Sequence, residues 1–463
     1  MTSFGNIALP PMQIQYASDA DESSRWESFN RSFSHDLPTP PGSPGVSLAK
    51  RANRSSLGGA VIQRAPSGIT AQDVDEQLAG TAFLSPDFVR SQESARPETL
   101  TLSDPIYGTT TISEPVLIAL VLSPAIQRLK DVLQHGITGL LGLTPSPAIT
   151  RLEHSIGAMR LVRRAGGSTE AQAAALLHDV AHTALSHVVD RVWGYVVHEE
   201  DKWDFLRRTT IPLILASHRL VPSHVLEEAN FSLLELDAPA LCADRLDYGL
   251  RDSLRFGTLS LTDAQAIARD LVCWGGRFCM QSKELALTLG RAYMESDKMA
   301  WCNPLHGVMY EYAAQTIRLA CETGILAKSD LWLYPDAPFW ARLAKSDDPH
   351  IAASAAKVRS DLVVVEIHPD RSSESALKSS LTDSEDAKWQ AVELVTLSMK
   401  VRTLDPDVAM RGTDGEIERV IRLSDLDPTY KSEREEHIRL RNGSKSFRVY
   451  IPRAALPSPS PAW

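Results

Sequence analysis

The sequence predicts a mostly α-helical fold with a smaller α+β unit at its C-terminal end and a disordered N-terminal tail. Three observations predict it. Between about residues 100 and 345, apolar side chains recur at three- and four-residue intervals, the period of helices that bury one face. Beyond 355 the pattern changes to β-branched runs broken by turn-rich segments. Roughly the first 70 residues concentrate Pro, Gly and Ser without an apolar period, so burial there could not offset the entropy of ordering the chain. The organisation is accordingly a tail over 1–75, a helical domain over 100–345 and a strand-rich α+β region over 355–455.

In the tail, LPTPPGSPGVSLAKRANRSSLGG carries Ser-Pro and Thr-Pro pairs and a short basic run, with the composition of a solvated extension. In the helical domain, SPAIQRLKDVLQHGI, ITRLEHSIGAMRLVRRA and TEAQAAALLHDVAHTALSHVVDRVW each show the helical period. Ser168 or Thr169, with Glu170 and Gln172 just after, caps the third, and Gly166-Gly167 makes the turn before it. Further helices are expected over 201–215, 222–235, 237–255, 262–273 and 284–327. In the C-terminal region DLVVVEIHP, AVELVTLSMKV, ERVIRLSDL and SFRVYIP read as strands, separated by DPD, GTDGE and RNGSK. No repeat of 20–50 residues is present.

Composition narrows the function. The chain has 463 residues, 43% of them hydrophobic, enough for a sizeable core. A formal net charge of -10 disfavours a basic surface for duplex DNA, and no strong nucleic-acid signature is present. The five cysteines are scattered and form no C-x-x-C, which argues against a disulfide scaffold or a cysteine zinc site and fits a reducing compartment. The longest apolar run, Pro115 to Ile126, is far short of the ~20 residues of a membrane span. The N-terminus shows no basic stretch followed by a long apolar one. The expectation is a soluble intracellular protein, cytoplasmic or nuclear, without a membrane partner.

The histidines point to the chemistry. Of 13 in the chain, His154, His178, His182, His187 and His198 fall close together, interleaved with Asp179, Asp190 and Glu199. Neutral imidazole and carboxylate bind borderline divalent metals without thiolate. His178 and His182 stand four apart, on one face of an expected helix, with Asp179 adjacent. Any one histidine is more readily explained as a satisfied core or surface residue. The His178-Asp179 pair behind the apolar AAALL is different, because burying imidazole beside carboxylate is costly unless something pairs with them. His154 would approach across the Gly166-Gly167 turn, and Asp244 is the best candidate for a fourth ligand.

The order H…HD…D resembles the HD-domain superfamily of metal-dependent phosphohydrolases, and the likeness extends beyond it. DPIYG (104–108), AIQRLK (125–130), RLEHSIG (151–157), LLHDVAHTALSH (176–187), HEED (198–201) and DRLDYGLRD (244–252) run in the order of the branch that contains the sterile-alpha-motif/HD deoxynucleoside triphosphate triphosphohydrolase. No sterile-alpha-motif domain is evident. The resemblance implies an HD-domain helical core and a divalent metal ion (Mn, Fe, Zn, Ni or Mg) on His154, His178, Asp179 and Asp244. It also implies that His182, His187, Asp190 and His198 line the scissile phosphate and that Arg151 and Arg245 contact phosphate. Tyr248 and Asp252 would meet a substrate sugar, while His306 and Tyr310 would close the pocket. The implied partner is a phosphorylated small molecule such as a nucleotide, and the implied assembly a homo-oligomer.

General chemistry assigns compatible roles: the ion activates water, the arginines supply charge, and His198 or His182 is the general acid with Asp190 orienting it. The chain also departs from that branch. Cys302 stands where relatives carry a polyphosphate-contacting arginine, Gly307 and Val308 replace two basic residues, and Leu122 replaces an aspartate of the regulatory nucleotide site. The hydrolytic set is complete while several cations for a triphosphate are lost. Two alternatives use the same frame: a di-iron oxygenase, and a catalytically altered HD protein that binds nucleotide or RNA. Walker A, Rossmann, H-E-x-x-H and G-x-S-x-G motifs are absent.

Overall fold

The computed structural model describes residues 12–16, 97–367 and 389–452. About half of the chain is helical, and three small sheets accompany the helices, so "mostly α" overstates the helix content. The tail read over 1–75 lies outside the described residues except at 12–16. There Gln13–Tyr16 forms strand β1, antiparallel to β2 (Leu100–Asp104), which pairs with β3 (Gly108–Ile112). MQIQY alternates apolar and polar side chains, a signal too short to register in a composition read over the whole tail.

The helical part begins with α1 (Pro115–Val121), then α2 (Arg151–Arg164) and α3 (Thr169–Leu177). A reciprocal capping box between Thr150 and Glu153 starts α2, and the Ser168 hydroxyl accepts from the Ala171 N–H to start α3. Between them Gly166 takes a φ of +77°, open to glycine at no steric cost. Helix α4 (Ala243–Arg255) packs across α2. The pair meets at Gly157, where any Cβ would collide with the Asp247 carboxylate and the Arg251 guanidinium.

Several expected helices are cut short or divided: 201–215 splits into Lys202–Leu206 and Ile211–Ser217, 222–235 keeps only Pro222–Val225 as α-helix, and 237–255 begins at Ala243. The segment 262–273 ends its helix at Asp270, because Leu271–Trp274 (β4) and Arg277–Met280 (β5) form a hairpin around Gly275-Gly276, both at positive φ. The segment 284–327 divides into α5 (Lys283–Ser296), a π-turn at Asp297–Trp301, and α6 (Pro304–Glu322). Pro304 cannot continue a helix but suits its first turn, and the Asn303 side chain caps α6 by accepting from the Leu305 N–H.

After α7 (Asp336–Ala344) come β6 (Val363–Glu366), β7 (Trp389–Met399), β8 (Asp407–Arg411), β9 (Ile417–Arg422), α8 (Pro428–Arg441) and β10 (Gly443–Pro452). One sheet has the order β6-β10-β7; another, β4-β5-β8-β9, joins the hairpin to the C-terminal strands. Leu404, Val408, Leu423 and Tyr430 share a core with α2–α5, while Val395, Leu397, Phe447 and Val449 share one with α6 and α7. The change in pattern near 350 thus marks a change of secondary structure and not a division between cores. Among the described residues no helix is long and apolar enough to cross a membrane.

Helix α2 carries His154 one turn before Gly157, so the close approach of α4 sets the site. Gly157→Ala should destabilise the protein by about 1–3 kcal/mol through overpacking, read as a lower urea midpoint with an unchanged slope.

Candidate active site

Four side chains from three parts of the chain converge. His154 projects from α2; His178 and Asp179 follow the last turn of α3; Asp244 stands in the first turn of α4. The His154 Nε2 lies 3.1 Å from His178 Nε2 and 2.9 Å from Asp244 Oδ1, and His178 Nε2 is 3.4 Å from the same oxygen. Asp179 stands 3.7 Å from each imidazole. His154, His178 and Asp179 are all buried.

The outer hydrogen bonds set the tautomers. His154 Nδ1–H donates to Asp247 Oδ2 at 2.9 Å, and His178 Nδ1–H to the Ala175 carbonyl at 2.8 Å. Each ring therefore turns the Nε2 lone pair inward, where two lone pairs and two carboxylates face one another. Such a group is repulsive unless a cation lies among its members. Burial opposes a charge on His154, but its hydrogen bonds to Asp244 and Asp247, with Asp179 nearby, push its pKa up to about 10, so that without an ion a proton on Nε2 meets the demand of the centre for positive charge. Two imidazoles and two carboxylates suit Mn, Fe, Ni or Zn better than a thiolate-seeking ion. His154, His178 and Asp179 could hold a metal ion, and the donor set fits one.

The helix expected to run through His182 ends sooner. Leu177 closes α3, and the chain passes through left-handed φ at Leu185 (+57°) and Ser186 (+48°). His178 and His182 therefore do not share a helix face; Asp179 brings them together instead, its Oδ1 accepting from His182 Nε2 at 3.0 Å. The turn is held from outside. Arg128 Nη2 donates to the Val180 and His182 carbonyls, and buried Asp336 accepts from the N–H groups of Leu133 (2.9 Å) and Leu185 (2.8 Å). Its product is Ser186 Oγ, placed 2.8 Å from Arg151 Nε.

Arg151 is buried at the start of α2. Its Nη1 donates to Asp179 Oδ2 at 2.5 Å, and among the described residues its Nη2 has no partner. Burial would raise the Asp179 carboxyl, but Arg151, then His182 and His178, hold it well below the usual carboxylate range. Beside it His182 and His198 stack with centroids 3.7 Å apart, and His187 stands edge-on to both. Burial and neighbouring cations keep His182 and His198 neutral, His198 down to about 3, which differs from the near-neutral titration expected of a general acid. His187 is the open member, with Nδ1 at 3.0 Å from Asp190 Oδ2. Asp190 Oδ1 also accepts from the Val197 N–H, tying the His198 segment to this cluster.

Other expected contacts are engaged elsewhere. The Arg245 guanidinium, expected on phosphate, binds Glu235 Oε1 at 3.0 Å and the carbonyls of Leu236 and Ala240. Asp252, expected on a sugar, is sealed, accepting from His135 Nε2 (2.8 Å) and Trp301 Nε1 (2.9 Å). Tyr248 edges His154 at 6.2 Å between centroids, its hydroxyl 2.5 Å from that of Tyr293. Burial lowers His306 to about 3, and the Tyr310 hydroxyl donates to the His135 carbonyl.

A supporting layer went unassigned in the sequence. Asp247, behind His154, also accepts from Arg251 Nε (2.8 Å) and the Tyr107 hydroxyl (2.8 Å), and Arg251 reaches Asp104 Oδ2 at 2.8 Å. Asp104 in turn accepts from the N–H groups of Ile106 and Tyr107. The blocks DPIYG and DRLDYGLRD thus meet through one buried network.

An HD domain family profile matches residues 151–249. The chain is 39% identical over 347 residues to a protein named metal-dependent phosphohydrolase cns2 from Cordyceps militaris, covering 73% of this chain and 92% of that protein. It is 34% identical over 310 residues to the uncharacterized protein YdhJ of Bacillus subtilis, covering 65% and 94%. A phosphohydrolase of known structure from Bacteroides thetaiotaomicron aligns at 17% identity with a TM-score of 0.47, over 77% of this chain and all of its own.

Asp247→Asn keeps the volume but removes the carboxylate behind His154, and metal affinity should fall about 10–100-fold, measured by chelator competition. Burial pushes the Asp336 carboxyl up to about 6 against its two N–H donors and Arg151. The native state therefore binds this proton more tightly than the unfolded chain, so its contribution is most favourable below pH 4 and is lost as pH rises to 6. Relative to Asp336→Asn, the wild type should lose up to about 3 kcal/mol over that window, measured by urea unfolding at each pH.

Proposed function

This chain belongs to the HD-domain metal-dependent phosphohydrolases, and from that premise we propose that it cleaves a phosphoester or phosphoanhydride of a nucleotide or related phosphorylated small molecule at the centre around His154. His154, His178, Asp179 and Asp244 would hold the divalent ion. The observation that carries this reading is the unpartnered, buried Nη2 of Arg151 beside that converging donor set. A buried guanidinium nitrogen without an acceptor is costly, and a phosphoryl oxygen is the acceptor that matches its geometry.

A divalent ion there supplies Lewis-acid polarisation and lowers the pKa of water. Arg151 binds a non-bridging oxygen and neutralises charge that spreads as the bond to phosphorus breaks. The strained turn at Leu185–Ser186 fixes its Nε, so the guanidinium is oriented before substrate arrives. His182 donates through Nε2 to Asp179 and leaves Nδ1 as a buried acceptor that can orient water. His187, open to the cleft and held by Asp190, is placed to protonate the leaving oxygen. His198 stacks on His182 and excludes solvent from that side. Neither the oxygenase nor the non-catalytic alternative is favoured by the named relative or the complete donor set.

The test is release of phosphate, pyrophosphate or triphosphate from dNTPs, NTPs, nucleoside monophosphates and prenyl diphosphates by metal-loaded protein. Release from a nucleotide is expected, and Arg151→Ala should lower kcat/KM by about 100-fold or more. Oxygen-dependent turnover with two irons per chain and no phosphate release would contradict the proposal.

A further inference from the structure

Arg402 comes from the segment after β7, yet its guanidinium reaches the aromatic cluster beside His154. It lies over the Trp301 ring, 5.9 Å from the centroid. Trp301 in turn packs against Tyr248 (5.2 Å) and Tyr293 (4.6 Å). Among the described residues no acceptor meets this head group; only the backbone N–H of Arg402 bonds, to Asp297 Oδ1 at 3.1 Å. The side chain is half-buried, recessed but reachable.

The position is fixed independently of any ligand. Buried Asp297 takes its second hydrogen bond from His437 Nε2 at 2.9 Å. Arg434 Nε donates to Thr403 Oγ1 at 3.0 Å, the Tyr430 hydroxyl to the Leu404 carbonyl at 2.6 Å, and the Asp405 N–H to the Pro239 carbonyl at 2.9 Å. A strap of four residues is thereby fastened between α8, the π-turn and the loop before α4, with one cation left over.

Trp301 and Tyr248 relate this cation to the metal centre, since Tyr248 packs against Trp301 and edges His154 at 6.2 Å. Burial holds the Tyr310 hydroxyl pKa up, with Arg151, Arg191 and Arg402 acting the other way. Arg191 lies over its ring at 5.7 Å but is also near Glu311, and its Nη1 donates to the Gly307 carbonyl. Arg160 and Arg251, equally recessed, have acceptors. Among the described residues Arg402 does not, and a partly desolvated guanidinium without an acceptor is ready for an anion.

Resting on the phosphohydrolase reading, we propose that Arg402 is a specificity-determining residue that binds a second anionic group of the substrate, beyond the phosphoryl group held at Arg151. The preferred substrate class then carries a phosphoanhydride chain or a second phosphate, and the C-terminal region completes the binding site.

Calorimetry on the full-length protein as purified tests this, with methylphosphonate as the single-anion probe and bisphosphonates bridged by one to three methylenes as the double-anion probes. The wild type should bind the best bisphosphonate at least about tenfold more tightly than methylphosphonate. Arg402→Ala should reduce that ratio to near one, and Arg402→Lys should restore part of it. Arg402→Met, matched in unfolding midpoint to the wild type, should behave like Arg402→Ala and so excludes misfolding as the cause. A ratio near one in the wild type, or a ratio unchanged in Arg402→Ala and Arg402→Met, would overturn the assignment. The two proposals fail separately. The expected binding ratios with no phosphate, pyrophosphate or triphosphate released from any of the nucleotides or prenyl diphosphates would defeat the hydrolase reading and leave Arg402 in place. Efficient release without an Arg402-dependent ratio would defeat the assignment alone.

Discussion

The hydrogen bond from His154 Nδ1 to Asp247 is the contact on which the centre depends. It commits Nδ1 of a buried imidazole outward and so leaves Nε2 to face His178 and Asp244, where an ion, or in its absence a proton, supplies positive charge. With it the inner set is short of positive charge. Asp247 can sit behind His154 because Gly157 has no side chain, and Arg251 and Tyr107 donate to it there.

That constraint spreads outward in a chain of buried polar contacts. Arg251 couples Asp247 to Asp104, which closes the turn between β2 and β3; Arg160 holds the same turn through the carbonyls of Tyr107 and Gly108. Breaking one partner of such a buried pair costs about 3–5 kcal/mol, because it leaves an uncompensated charge. The small sheet at the start of the described chain is therefore part of the metal site's support. On the other side Asp336 and Arg128 perform the equivalent task for the loop after α3, keeping Asp179, His182 and Ser186 on a path that no regular helix would give them.

The converging donor set was legible in the sequence because imidazole and carboxylate are identified by residue type and order. His154, His178, Asp179 and Asp244 come from elements of which two signals, the Ser168 cap and the Gly166 turn, were themselves readable. What was not legible has a common physical cause. Periodicity carried a helix through His182, but the backbone leaves the helical region where tertiary hydrogen bonds from Arg128 and Asp336, far away in sequence, outweigh local preference. The same reason hides the tasks of Arg245 and Asp252, which their position beside the motif suggested were for substrate but whose hydrogen bonds are with Glu235, His135 and Trp301. Strand β1 is a short element fixed by pairing with a strand distant in sequence, which no local window contains, whereas the hairpin at 271–280 is local and meets the C-terminal strands at Met280. Arg402 lies in a segment with no motif at all, and only the fold brings it to the cleft.

The most direct test of the account is anomalous diffraction from crystals of the purified, metal-loaded protein. A single strong peak is predicted about 2.0–2.2 Å from the Nε2 atoms of His154 and His178 and from carboxylate oxygens of Asp179 and Asp244. A loaded crystal whose ion sits elsewhere, with those two Nε2 atoms turned from a common point, would contradict it.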